Sequence, residues 1–145
     1  MEKMELISFI PITGSYQIWY PKQFLINEDD GIVSIISSET YSNLTLSSYQ
    51  ANTSVNESVL LNFLQNKTKN YLQLSEIKSA ITVERIWLEG EFKNEKAFWI
   101  WSALSQSNQI ILTSINSNDP LSEEDRHLYT FMLDKMEIYP DSSDQ

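Results

Sequence analysis

Over the first fifty residues, hydrophobic runs of β-branched and aromatic side chains recur between polar, turn-forming clusters of Gly, Pro and Asp. The pattern predicts short strands at Leu6–Ile10, Tyr16–Tyr20, Phe24–Glu28, Gly31–Ser37 and Leu44–Gln50. Asp29-Asp30-Gly31 predicts a hairpin, because a primed turn needs positive φ and Asp-Gly tolerates it cheaply. Pro21 belongs between strands or on an edge, where its missing N–H costs nothing.

From Ser54 to Gln73 the period lengthens. Ser54 followed by Glu57 is a capping-box pattern, and Val55, Val59, Leu60, Phe63, Leu64 and Tyr71 then trace one face of a long helix. Beyond it, Ile77–Val83, Ile86–Phe92, Phe98–Ser105 and Ile110–Ser117 are rich in strand formers and predict an antiparallel meander. With Phe92 opposite Phe98, the side chains of Trp87, Glu89 and Glu91 share a face with Trp99, Trp101 and Ala103. A further turn at Gln106-Ser107-Asn108 adds Ile111, Thr113 and Ile115 to that face. Phe98, Ile100, Leu104, Ile110 and Leu112 then line the other side, so both faces are apolar and each requires a cover.

The carboxy-terminal segment supplies the second cover. Ser122 is placed to cap a helix with Asp125 at N3, Glu123 and Glu124 suit the positive end of its dipole, and Lys135 suits the negative end. Leu128, Phe131, Met132, Lys135 and Met136 form its expected stripe. The expected fold class is α+β, an antiparallel β-sheet sandwiched between two helices. One domain spans residues 1–140, with a frayed acidic tail at 141–145.

This order of elements resembles the PsbP-like α/β/α sandwich superfamily, as do Phe9-x-Pro11 at the start, Tyr20-Pro21-x-x-Phe24, and Phe131-Met132-Leu133 in the closing helix. The likeness covers most of the chain and looks closest to small uncharacterised bacterial families. Relatives in that superfamily include photosystem accessory proteins, a Ran GTPase-binding factor and effector chaperones, so the resemblance implies protein interaction. It transfers no site residue.

Composition narrows the function classes further. Twenty Asp and Glu against ten Lys and Arg give a net charge of −10, which repels phosphate backbones and anionic membrane surfaces. A protein partner of basic character fits better. The chain has no cysteine, which removes disulfides, thiolate metal sites and thiol nucleophiles. No apolar run approaches the ~20 residues of a membrane span, and the segment Met1–Ile12 lacks the apolar core of a signal peptide, so a cytoplasmic location is expected.

Catalytic constellations are sparse. His127 is the sole histidine, so any His-based triad or metal scheme must pass through it, and its place in the second turn of a helix reads as an ordinary surface position. Glu89 and Glu91 are the best paired carboxylates, yet they also suit the rim of a covered strand. Asn27-Glu28-Asp29-Asp30-Gly31 collects oxygen ligands, but its Gly arrives one position early for a calcium loop. Three glycines build no phosphate-binding fingerprint, and no cofactor is expected.

Trp87, Glu89, Glu91, Trp99 and Trp101 are therefore the candidate binding residues. The tryptophans are core if a helix covers them fully and an aromatic anchor if the cover is partial. The expected function is a non-catalytic protein-binding module, adaptor, chaperone or immunity-like, using that surface. The rival is a carrier of a small apolar ligand, which requires a closed cavity of ~300 Å³ or more between sheet and helix, lined by Phe63 and Tyr71. A hydrolase working through Glu89 and Glu91 ranks third and requires those carboxylates to converge in a cleft.

Overall fold

A computed structural model describes residues 4–37, 39 and 41–140, and the tail expected at 141–145 lies outside the described residues. Along the chain come β1 (Leu6–Phe9), β2 (Tyr16–Pro21), β3 (Leu25–Asp29), β4 (Ile32–Ser37), β5 (Ser42–Gln50) and α1 (Glu57–Thr68). They are followed by β6 (Leu72–Gln73), β7 (Lys78–Ile81), β8 (Ile86–Lys93), β9 (Phe98–Gln106), β10 (Gln109–Ser117), α2 (Glu123–Lys135) and β11 (Glu137–Ile138). Eight strands form one antiparallel sheet, ordered β3-β4-β5-β10-β9-β8, with β6 and β7 both paired to the outer side of β8. A second sheet, β1-β2-β11, has three strands.

The hairpin expected at Asp29-Asp30-Gly31 forms. Asp29 pairs with Ile32, and Asp30 and Gly31 take φ of 53° and 82°, the two positive angles of a type I′ turn. Ser122 caps α2 as the sequence implied, its hydroxyl accepting from the Asp125 N–H at 3.1 Å.

The first helix is shorter than its periodicity suggested and starts later. Asn56, not Ser54, is the cap, its Oδ1 accepting from the Val59 N–H at 2.8 Å. Val55 and Leu60 close on each other's side of this cap within one buried cluster, a hydrophobic staple. The helix stops at Thr68, and Leu72–Gln73 leave it to pair with Phe92 and Lys93 of β8. Leu60, Leu64 and Thr68 are its buried positions, while Val59, expected in the stripe, is exposed.

Two cores flank the large sheet. On one face Leu60 and Leu64 of α1 pack with Leu88, Ala103, Ile110 and Leu112. On the other, Tyr129, Met132 and Leu133 of α2 join Tyr16, Ile18 and Tyr20 of β2 over Ile35, Leu44, Leu104 and Ile111. The cover on this second face is thus a helix together with a small sheet, rather than a helix alone.

Tyr16 shows how tight that core is. It is 0% exposed, and its hydroxyl has no hydrogen-bond partner among the described residues. Burial, and secondarily the charge of Glu28, raise its phenol pKa well above the usual ~10 of tyrosine. A raised folded-state pKa leaves stability intact below pH ~10, then erodes it as pH climbs toward the folded value, because the unfolded chain loses its proton first. Tyr16→Phe is expected to stay within about 1 kcal/mol of wild type at neutral pH, since it deletes an unpartnered buried hydroxyl. It should also flatten the alkaline fall in stability, read from denaturant midpoints measured at rising pH. Identical alkaline slopes for both proteins would contradict this.

Candidate functional site: an aromatic shelf beside bare sheet

The sequence register between β8 and β9 needs correction by one residue. Phe92 faces Trp99, Gly90 faces Trp101, and Lys93 faces Phe98. Asn94 sets this register: its side chain accepts from the Lys96 and Ala97 N–H groups, each at 3.0 Å, closing the connection at 94–97. Because strand side chains alternate, a single-residue slip moves a whole row to the opposite face. Trp87, Glu89 and Glu91 therefore lie on the α2 face, and Trp99 and Trp101 on the α1 face. The structure does not bring the five together. Ile111, Thr113 and Ile115 likewise fall on the α2 face, while Ile110 and Leu112 go to the α1 face.

On the α2 face the two carboxylates have polar partners, while the Trp87 indole N–H has none among the described residues. The Glu91 carboxylate meets the Arg126 guanidinium of α2 at 2.9 Å, and Glu89 Oε1 accepts from the fully buried Ser102 hydroxyl at 2.9 Å. Trp87 packs against the main core. Glu91 ties α2 to the sheet, Glu89 bonds across to β9 within the sheet, and the two carboxylates are thus directed to different partners.

The α1 face is organised differently. Trp99 and Trp101, two apart on β9, stack with centroids 5.6 Å apart and planes at 19°. Tyr71 stands edge-on to both, at 5.4 Å and 5.5 Å. It is positioned by the turn that ends α1, where its N–H donates to the Thr68 carbonyl at 3.0 Å. All three rings are half-buried. Neither indole N–H has a hydrogen-bond partner among the described residues.

The reason for partial burial is the reach of α1. A helix is ~10 Å across and strands lie ~4.8 Å apart, so one helix spans about two strands. α1 lies over β8 and β9. Following the register outward from Trp99 leads through Asn116 and Asn43 to Ile36 and Leu25; from Trp101 it leads through Ser114 and Thr45 to Ser34 and Asn27. The far edge carries Leu25 at 63% exposure, so the expectation of two fully covered faces holds over β8, β9 and the Ile110–Leu112 end of β10 and fails at β3 and β4. The stacked indoles and Tyr71 stand where helix cover gives way to bare strand. The sequence marked the tryptophans as candidate residues but set Tyr71 on the helix stripe and against the carrier's cavity, not beside the indoles.

His127 is exposed on α2 next to a groove that also holds Glu124. Among the described residues, no three His, Asp or Glu side chains converge as a metal site. Asn27–Gly31 is spent on the β3–β4 hairpin. No helix among the described residues is long and apolar enough to cross a membrane.

Mixed helix and antiparallel sheet in this order define the PsbP-like fold, and this chain has it. Its structure is similar to the solution structure of cyanobacterial PsbP (CyanoP) from Synechocystis sp. PCC 6803, with a TM-score of 0.70, 10% identity and 95% of each chain covered. It is also similar to a crystal structure from Bacteroides thetaiotaomicron VPI-5482, with a TM-score of 0.60 and 13% identity. That second likeness covers 97% of this chain and 50% of the other, so the chain spans half the length of that protein. No protein-family model and no curated protein matches the sequence. At these identities the likeness establishes the fold.

Proposed function

We propose that the chain is a non-catalytic, cytoplasmic protein-binding module, of adaptor, chaperone or immunity type, that docks a protein partner through Trp99, Trp101 and Tyr71. The observation that carries this reading is the half-buried aromatic cluster at the border of an uncovered sheet face. Rigid aromatic groups rimmed by polar strand residues are the composition of binding hot spots, where large contact area comes at low entropic cost. Of the five candidate residues, Trp99 and Trp101 belong to this surface; Trp87, Glu89 and Glu91 lie on the opposite face, where Glu91 ties α2 to the sheet through Arg126.

The carrier reading is less favoured because the space between α1 and the sheet is filled: Leu60, Leu64, Leu88 and Ala103 are all essentially buried against one another. The hydrolase reading loses its cleft, since Glu89 and Glu91 are each engaged elsewhere.

The test is capture of partners from the native lysate by wild type and by Trp101→Ala, with identification by mass spectrometry. Loss of a central hot-spot residue costs about 2 kcal/mol or more, so partner affinity is expected to fall roughly 30-fold while the folded spectrum is retained. A stoichiometric apolar small molecule extracted from purified protein, with no protein partner captured, would overturn the proposal in favour of the carrier.

A further inference from the structure

A second surface lies on the opposite side of the sheet, where the first turns of α2 meet the β2–β3 connection. Here a groove of about 360 Å³ is floored by Phe24, Leu128 and Met4 and rimmed by Glu39, Glu124 and Asp125. Phe24 and Leu128 are half-buried and Met4 is exposed, so the floor is apolar and open. Lys22, next to Gln23 of the lining, is held 3.5 Å from Glu5, and His127 also lines the groove. Arg126 is the only Lys or Arg between Glu123 and Thr130, and its guanidinium is held 2.9 Å from Glu91. Glu123 and Asp119 add further exposed carboxylates around the same helix start.

We infer that this groove docks a cationic amphipathic segment of a protein partner, an aliphatic side chain resting on Phe24 and Leu128 while flanking Lys or Arg side chains meet Glu39, Glu124 and Asp125. The inference rests on the protein-binding reading for its partner class, but uses a different face from the aromatic shelf. Charge complementarity selects the occupant. On a chain of net charge −10, an apolar groove ringed by carboxylates disfavours acidic segments and anionic lipid, and it steers cationic chains by long-range attraction. The apolar floor then discriminates an amphipathic segment from a purely polar one, because each methylene buried on it adds to the affinity.

The experiment is an amide-shift titration of the isotope-labelled protein with a short helical Lys/Leu peptide, with its Glu/Leu counterpart as the control. Shifts are expected at Phe24, Glu124 and Leu128 with the Lys peptide only, weakening with added salt. The double variant Glu39→Gln, Glu124→Gln removes two surface charges without touching the core and should weaken binding about tenfold. Equal binding of both peptides, unchanged affinity in the double variant, or shifts confined to Tyr71, Trp99 and Trp101 would overturn the groove assignment. The last outcome would leave the shelf standing, whereas groove binding that survives Trp101→Ala would stand even if the shelf captured nothing.

Discussion

Arg85→Ala is expected to destabilise the fold by about 2–3 kcal/mol, lowering the melting temperature by roughly 5–10 °C for a chain of this size. The last carbonyls of a helix have no partner within it, and those of α2 end beside the β7–β8 hairpin. Arg85, in that hairpin, donates from Nη1 to the Leu133 carbonyl at 3.2 Å and the Asp134 carbonyl at 3.4 Å, and from Nη2 to the Met136 carbonyl. A cation at the negative end of the dipole adds to these charge-assisted bonds. Desolvation pulls the Arg85 pKa below its usual value, with Asp134 and Glu84 acting in the opposite direction, so the guanidinium is partly withdrawn from water and depends on these carbonyls for compensation. Alanine leaves three carbonyls with a lost donor and loosens the lead into β11, whose Glu137 and Ile138 pair with Gln17 and Tyr16. Lysine should recover only part of the loss, since an ammonium cannot fork across successive carbonyls. Thermal unfolding of both variants checks this, with hydrogen exchange of the last α2 turn as the local readout. A melting temperature for Arg85→Ala within about 1 °C of wild type would mean that these bonds exchange for water at no net gain.

Strand boundaries were legible wherever one face is buried and the other wet. In β2 the buried Tyr16, Ile18 and Tyr20 alternate with half-buried Gln17 and Trp19, and in β4 buried Val33 and Ile35 alternate with Ile32, Ser34 and Ile36. That contrast fixes which way each side chain points. The register of β8 on β9 was not legible for the opposite reason. Leu88 and Phe92 are buried on one face and Ile100 and Leu104 on the other, so sliding by one residue exchanges one apolar row for another and the pattern does not object. What decides is the side chain of Asn94, which shortens the loop. The same ambiguity scattered the candidate site: Trp99 and Trp101 remain together because they are two apart on one strand, whereas their company on β8 depended on the register. The end of α1 was hidden too. Its apolar spacing runs on to Tyr71, but Leu72 and Gln73 gain ladder bonds on β8 that a further helical turn would forgo.

Rotation of α2 about its axis is the second such ambiguity, and it yields a sharp expectation. Leu128, Phe131, Met132, Lys135 and Met136 make one helical stripe; Tyr129, Met132, Leu133 and Met136 make another, turned by a single residue, and the sequence supports both. The structure takes the second. Tyr129 is buried with its hydroxyl 2.5 Å from the Ser42 hydroxyl, and Leu133 is 0% exposed against the β2 side of the core, whereas Phe131 is 42% exposed. On its outward side Lys135 Nζ lies 6.0 Å from the Phe131 ring. Leu133→Ala is therefore expected to cost about 2–5 kcal/mol, the transfer of a buried side chain plus the cavity it leaves. Phe131→Ala removes the larger side chain, yet should cost less than about 1 kcal/mol, the scale of an exposed cation–π contact. Paired urea titrations measure both. The contrast is informative because size alone predicts the reverse order, so a greater loss from Phe131→Ala would mean that α2 presents its other stripe to the core. That rotation would also carry Leu128 from the side of the acid-rimmed groove into the interior, and the groove would lose its floor.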